Sequence, residues 1–103
     1  EGFIAIAPDL LTMRNIPAGP DGAPSPDVAR AEIATLDRDA IHRQLLAVAN
    51  YGMALPAADD AYGIVGFCWG GTVSFEHAIR SPTLGASVVY YGSTPDTTLL
   101  GSI

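Results

Sequence analysis

The sequence predicts a parallel α/β fold of about three strands with flanking helices, and three observations carry that expectation. Two short apolar runs, Phe3-Ile-Ala-Ile-Ala7 and Tyr62-Gly-Ile-Val-Gly-Phe67, each end in a loop or turn signal, as buried parallel strands do. Between and behind them lie helical patterns with apolar residues at three- and four-residue steps. A third apolar run, Ala86 to Tyr91, then completes the order strand, helix, strand, helix, strand.

The first strand is predicted over Phe3–Ala7, β-branched at alternate positions, with Pro8-Asp9 closing it and Asp9 expected in an Asx-type turn. From Leu10 to Ser25, Pro17, Pro20, Pro24, Gly19 and Gly22 break any regular element, so this stretch reads as a surface loop. Ser25 offers an N-cap, with Pro26 at the first helical position and Asp27 behind it, opening a helix to about Leu36. Asp37 caps a second helix in which Ile41, Leu45, Val48, Ala49 and Met53 share one face, and Pro56 ends it. His42, near its start, is expected to face solvent. After a polar turn comes the second strand, then a helix from about Trp69 to Arg80, then the third strand. There Tyr90 and Tyr91 should point to opposite faces and pack in the core.

At the junction of the second strand and its helix, Gly66-Phe67-Cys68-Trp69-Gly70 has the spacing of a nucleophile elbow. The flanking glycines, Gly66 and Gly70, are expected because so sharp a turn brings side chains into collision with the neighbouring strand or helix. Cys68 then stands at a helix N-terminus, where unpaired N–H groups and the positive end of the helix dipole favour negative charge on sulfur. His77 lies on the same helix, about 13 Å further along the axis at the standard rise, too far to serve that sulfur as a base. It is read as a helix-surface histidine. Asp96, after the third strand, is read as a loop acid.

Composition narrows the function classes. With 103 residues, 49% of them apolar, the chain forms one small domain with a modest core, residues 1–103. A net charge of −6, with five arginines and no lysine, excludes the clustered cations of a nucleic-acid surface. The single cysteine can form neither an internal disulfide nor a zinc site. No apolar run is long enough for a membrane span and no charged leader precedes an apolar stretch, which makes a cytoplasmic protein the expectation. The opening Glu1-Gly2, directly before a strand, looks like a start inside a domain. Three strands alone leave hydrophobic edges unpaired, so further segments or a partner, including a second copy, are expected to cover them.

Three motifs together resemble the dienelactone hydrolases, carboxymethylenebutenolidase-like members of the α/β-hydrolase superfamily. They are Ala5-Ile6-Ala7-Pro8-Asp9-Leu10-Leu11, Val65-Gly66-Phe67-Cys68-Trp69-Gly70-Gly71 and Val89-Tyr90-Tyr91-Gly92, in family order and across essentially the whole chain. The resemblance implies the central portion of a three-layer α/β-hydrolase fold and hydrolysis of a small-molecule ester or lactone, with no metal or organic cofactor. Cys68 would be the nucleophile of a Cys-His-Asp triad, and Trp69 would give its backbone N–H to the oxyanion hole. The family's triad His and Asp, its second oxyanion donor and a glutamate that holds the resting cysteine have no counterpart in this sequence. The 103-residue chain alone is therefore expected to turn over poorly. Arg14 lies in the loop that supplies an arginine to the substrate carboxylate, one residue further from Asp9 than the family pattern.

Two other classes remain open on the residues. Class I glutamine amidotransferases also place a cysteine on such an elbow, but they carry Gln shortly after the elbow glycine, where this chain has Gly71-Thr72-Val73, and they lack the Ala-Pro-Asp-Leu strand. A non-catalytic module that self-associates or binds a partner through its sheet edges is the other.

Overall fold

A computed structural model describes residues 2–103; Glu1, the first residue of the expected domain, lies outside the described residues. The chain forms two compact units, one reaching to Asn50 and the other running from Tyr51 to Ile103. The division falls inside a helix.

In the first unit, helix α1 spans Pro26–Ala34 and opens as its sequence dictates: Ser25 is extended, its Oγ accepts from the Val28 N–H at 3.4 Å, and Pro26 fixes the first turn. Helix α2 spans Arg38–Met53, and the Asp37 carboxylate accepts from the Ala40 N–H at 3.0 Å. On α2 the expected face is the less exposed one, with Ile41 buried and Leu45, Val48, Ala49 and Met53 half-buried. His42 departs from expectation: it is 6% exposed, carried inward because it adjoins Ile41 at the edge of that face.

The largest departure is at Phe3–Ala7. These residues belong to no helix or sheet, and Phe3 is 98% exposed. Alternating apolar residues specify which side of a strand would be buried; the strand itself exists only where a neighbour accepts from its N–H groups and donates to its C=O groups. Among the described residues the sheet has two strands, not three.

The second unit holds that sheet. Strand β1, Gly63–Phe67, pairs in parallel with β2, Ala86–Tyr90, in the register Gly63 opposite Ala86 to Phe67 opposite Tyr90. Helix α3, Trp69–Arg80, connects them and packs on one sheet face. A 3-10 helix over Thr97–Ser102 follows, capped by Asp96.

The buried stripe of α3 is Gly71, Val73, Ser74, His77 and Ala78. His77 is thus a core residue, 2% exposed, and not the surface histidine the sequence suggests. Its Nε2 lies 3.0 Å from the Tyr62 hydroxyl, which is also 2.7 Å from Ser81 Oγ, so one phenol ties the entry of β1 to the end of α3. Tyr62→Phe removes both bonds from a part-buried site and is expected to cost about 1–3 kcal/mol, read from the urea unfolding midpoint.

The opposite sheet face carries Val65, Phe67, Val88 and Tyr90, all exposed. The Phe67 and Tyr90 rings are stacked, 4.9 Å between centroids at 9°. Tyr91 does not alternate with Tyr90 along a strand as expected, because the strand ends at Tyr90 and Tyr91 turns with φ 40°.

Candidate active site

The elbow forms where the sequence places it. The ladder runs one residue past β1, the Cys68 N–H donating to the Tyr90 carbonyl at 3.0 Å, and the chain then reverses into α3. Cys68 itself has φ 54° and ψ −119°, the mirror image of the extended region that glycine visits freely and other residues do not. Backbone in such a conformation persists only where its surroundings over-determine it, and such residues cluster at functional sites.

Cys68 is the N-cap of α3, yet its side chain makes no capping hydrogen bond, and the thiol is exposed. Its carbonyl accepts the first bond of the helix, from the Thr72 N–H at 3.1 Å. The N–H of Trp69, the first helical residue, has no helical carbonyl four positions before it. An exposed sulfur and a helix-start N–H are therefore consecutive in the chain at the C-terminal end of a parallel strand, the end at which α/β sheets bind ligands.

Steric demand assigns the glycines differently from their spacing. A Cβ on Gly66 would strike the Gly70 carbonyl and Ser74 Oγ, so the close approach of β1 to α3 requires glycine there. At Gly70 a Cβ would meet nothing within 4 Å. The second sterically required glycine is Gly71, whose added Cβ would lie 2.7 Å from the Tyr90 carbonyl. The expectation that Gly70 avoids a collision is corrected accordingly: its position on the helix faces open space.

The loop after β2 rests on the same turn of α3. Gly92 packs so closely that a Cβ there would meet Thr72 N and the Gly71 backbone, and the Ser93 N–H donates to Thr72 Oγ1 at 2.8 Å.

Arg14 lies in the first unit, its Nη1 bonded to Glu32 Oε2 at 3.1 Å and to Thr35 Oγ1 at 2.9 Å. Asp9 forms the expected Asx turn: its carboxylate accepts from the Leu11 N–H at 3.0 Å and from the Thr12 hydroxyl at 2.8 Å. These bonds, the Thr12 hydroxyl first, hold its pKa below the ordinary carboxylate value. Asp96 is lowered in the same way by the N–H and hydroxyl of Thr98, the bonds with which it caps the 3-10 helix. In both cases the stabilisation is present above the unfolded carboxylate pKa and is lost as pH falls through the depressed folded value.

A cleft of about 500 Å³ in the second unit is lined by Phe75, Ala78, Leu84, Val89 and Ile103, without Cys68 or Trp69. Among the described residues no group of three or more His, Cys, Asp or Glu could hold a metal ion, and no helix is long and apolar enough to cross a membrane.

The model of the dienelactone hydrolase family matches residues 1–102. A putative carboxymethylenebutenolidase of Salmonella typhi is 31% identical over 102 residues, covering 99% of this chain and 37% of the relative. One from Escherichia coli K12 is 32% identical over 92 residues, covering 89% of this chain and 33% of the relative. Carboxymethylenebutenolidase 1 of Cupriavidus pinatubonensis is 31% identical over 93 residues, 88% of this chain and 39% of that protein. The chain thus spans well under half the length of these relatives. Its parallel strands, crossover helix and elbow are part of an α/β-hydrolase fold, and the chain belongs to the dienelactone hydrolase family.

Proposed function

We propose that the protein carrying this chain hydrolyses carboxylic ester or lactone bonds in small molecules through an acyl-enzyme on Cys68. The observation that carries the reading is the exposed Cys68 at φ 54° on the turn between β1 and α3, with its sulfur uncommitted to capping the helix.

In this mechanism the deprotonated Sγ of Cys68 adds to the carbonyl carbon, and the carbonyl electron pair moves onto oxygen. The Trp69 N–H donates to that oxyanion, a developing charge that the donor meets without reorganising. Collapse expels the alkoxide, which takes up a proton, and leaves a thioester. Water then adds to the thioester carbonyl, and release of the carboxylic acid returns the thiolate. His77 is not the base, since it is buried against Tyr62 near the far end of α3. Proton transfer is assigned to another residue of the whole protein, and the 103-residue chain alone should turn over poorly.

Small esters and lactones are the substrate class that the relatives' names support.

The test is hydrolysis of p-nitrophenyl acetate and of a dienelactone by the whole protein before and after iodoacetamide. One equivalent of label on Cys68 should abolish both activities, and excess substrate should slow the labelling. Full activity after complete labelling rejects the reading.

A further inference from the structure

We propose that Thr72 is a positioning residue for the Cys68 thiol, acting through the turn that follows β2; the proposal rests on the reading of Cys68 as the attacking residue. The Cys68 side chain makes no capping bond, and its neighbour Phe67 stacks its ring on Tyr90. What holds it comes from the end of β2. The Tyr90 carbonyl accepts the Cys68 N–H at 3.0 Å, and from that point the chain turns through Tyr91 at φ 40°.

That left-handed residue is held by a bond on either side. Before it stands the Cys68–Tyr90 bond, and after it the Ser93 N–H donates to Thr72 Oγ1 at 2.8 Å. Thr72 closes the circuit, because its own N–H donates to the Cys68 carbonyl at 3.1 Å. Gly92, between the two strained turns and the helix, leaves no room for the loop to move closer to α3. A residue outside the favoured backbone regions keeps that conformation only while its neighbours demand it. Two such residues, Cys68 and Tyr91, are linked here through one carbonyl; ring contacts of Phe67 and Tyr90 reach Tyr91 from the sheet, and the Thr72 hydroxyl adds the side-chain hydrogen bond that fixes the chain beyond it.

Without Oγ1 the turn at Tyr91 is released, the Tyr90 carbonyl is no longer fixed opposite Cys68, and the sulfur loses its set position ahead of Trp69. Thr72 touches no reacting atom in this account. Its effect is on the orientation of the thiol and the adjacent N–H, and so on the rate of attack and not on substrate binding.

The experiment compares Thr72→Val, which keeps the shape and removes the acceptor, with Thr72→Ser, which restores it, in the whole protein. Thr72→Ala repeats the comparison should valine disturb folding. Ser87→Ala is the control, since it removes another bond between β2 and α3, Ser87 Oγ to the Ser74 carbonyl at 3.0 Å, away from the elbow. The first readout is the rate of Cys68 alkylation by iodoacetamide, which needs no hydrolysis. Thr72→Val should slow it about fivefold, the effect of one lost hydrogen bond, with Thr72→Ser and Ser87→Ala close to the parent rate. For ester hydrolysis, kcat should fall by a similar factor with KM unchanged. Alkylation of Thr72→Val at the parent rate or faster, or equal slowing in Ser87→Ala, overturns the proposal. If the parent hydrolyses no ester, the hydrolase reading fails, while the alkylation series still decides the role of Thr72.

Discussion

Cys68→Ala is expected to lower kcat for ester hydrolysis in the whole protein by about three to six orders of magnitude, the range seen when an attacking residue is removed from an acyl-transfer site. A cysteine that only fills space would give a change of a fewfold. Stability should scarcely alter, because the thiol is exposed and makes no capping bond. Cys68→Gly separates the second component of the site. It is equally inactive, yet it should be more stable than Cys68→Ala by about 1 kcal/mol, since glycine adopts φ 54° and ψ −119° without a Cβ penalty. Equal urea midpoints for the two variants would remove backbone strain from the account.

Gly66→Ala should be the most damaging single-methyl change in the second unit. The added carbon would run into the backbone of Gly70 and into Ser74 Oγ, and helix backbone cannot rotate away as a flexible side chain can. Separating β1 from α3 breaks the packing that carries the elbow, so a loss of about 3 kcal/mol is expected, together with loss of rapid Cys68 alkylation. Gly70→Ala is the matched control. Its Cβ enters open space, and replacing a helical glycine by alanine should gain about 0.5–1 kcal/mol. A comparable loss from both substitutions, measured by urea unfolding, would contradict the steric assignment.

The pair also shows what the sequence can and cannot reveal. Spacing located the elbow and placed α3 at Trp69–Arg80, because a strand, a small-residue turn and a helix leave a local signature. It did not distinguish Gly70 from Gly71, since which glycine meets the Tyr90 carbonyl depends on how α3 lies on β2. The caps at Ser25 and Asp37 were equally legible, being side-chain bonds to N–H groups three residues on.

His77 looks like a surface residue in the sequence for a physical reason. Much of the buried stripe of α3 is glycine, serine and histidine, so hydropathy does not mark it as a core face, and the partner that makes burial of an imidazole tolerable, Tyr62, lies just before β1, 15 residues back in the chain. Phe3–Ala7 fails in the opposite way. Its pattern is that of a strand, but pairing is a property of two segments, and no described segment pairs with it. The Thr72–Ser93 bond carries no sequence signature at all, since it joins residues brought together only by the parallel crossover.

Trapping the acyl-enzyme tests the central claim most directly. The whole protein, mixed with p-nitrophenyl acetate and quenched in acid within the first turnovers, should gain the mass of one acetyl group. Peptide mapping should place that group on Cys68, and Cys68→Ala should gain none. Acetate released at full rate with no acylated Cys68 peptide, or the same adduct on the Cys68→Ala protein, would contradict it.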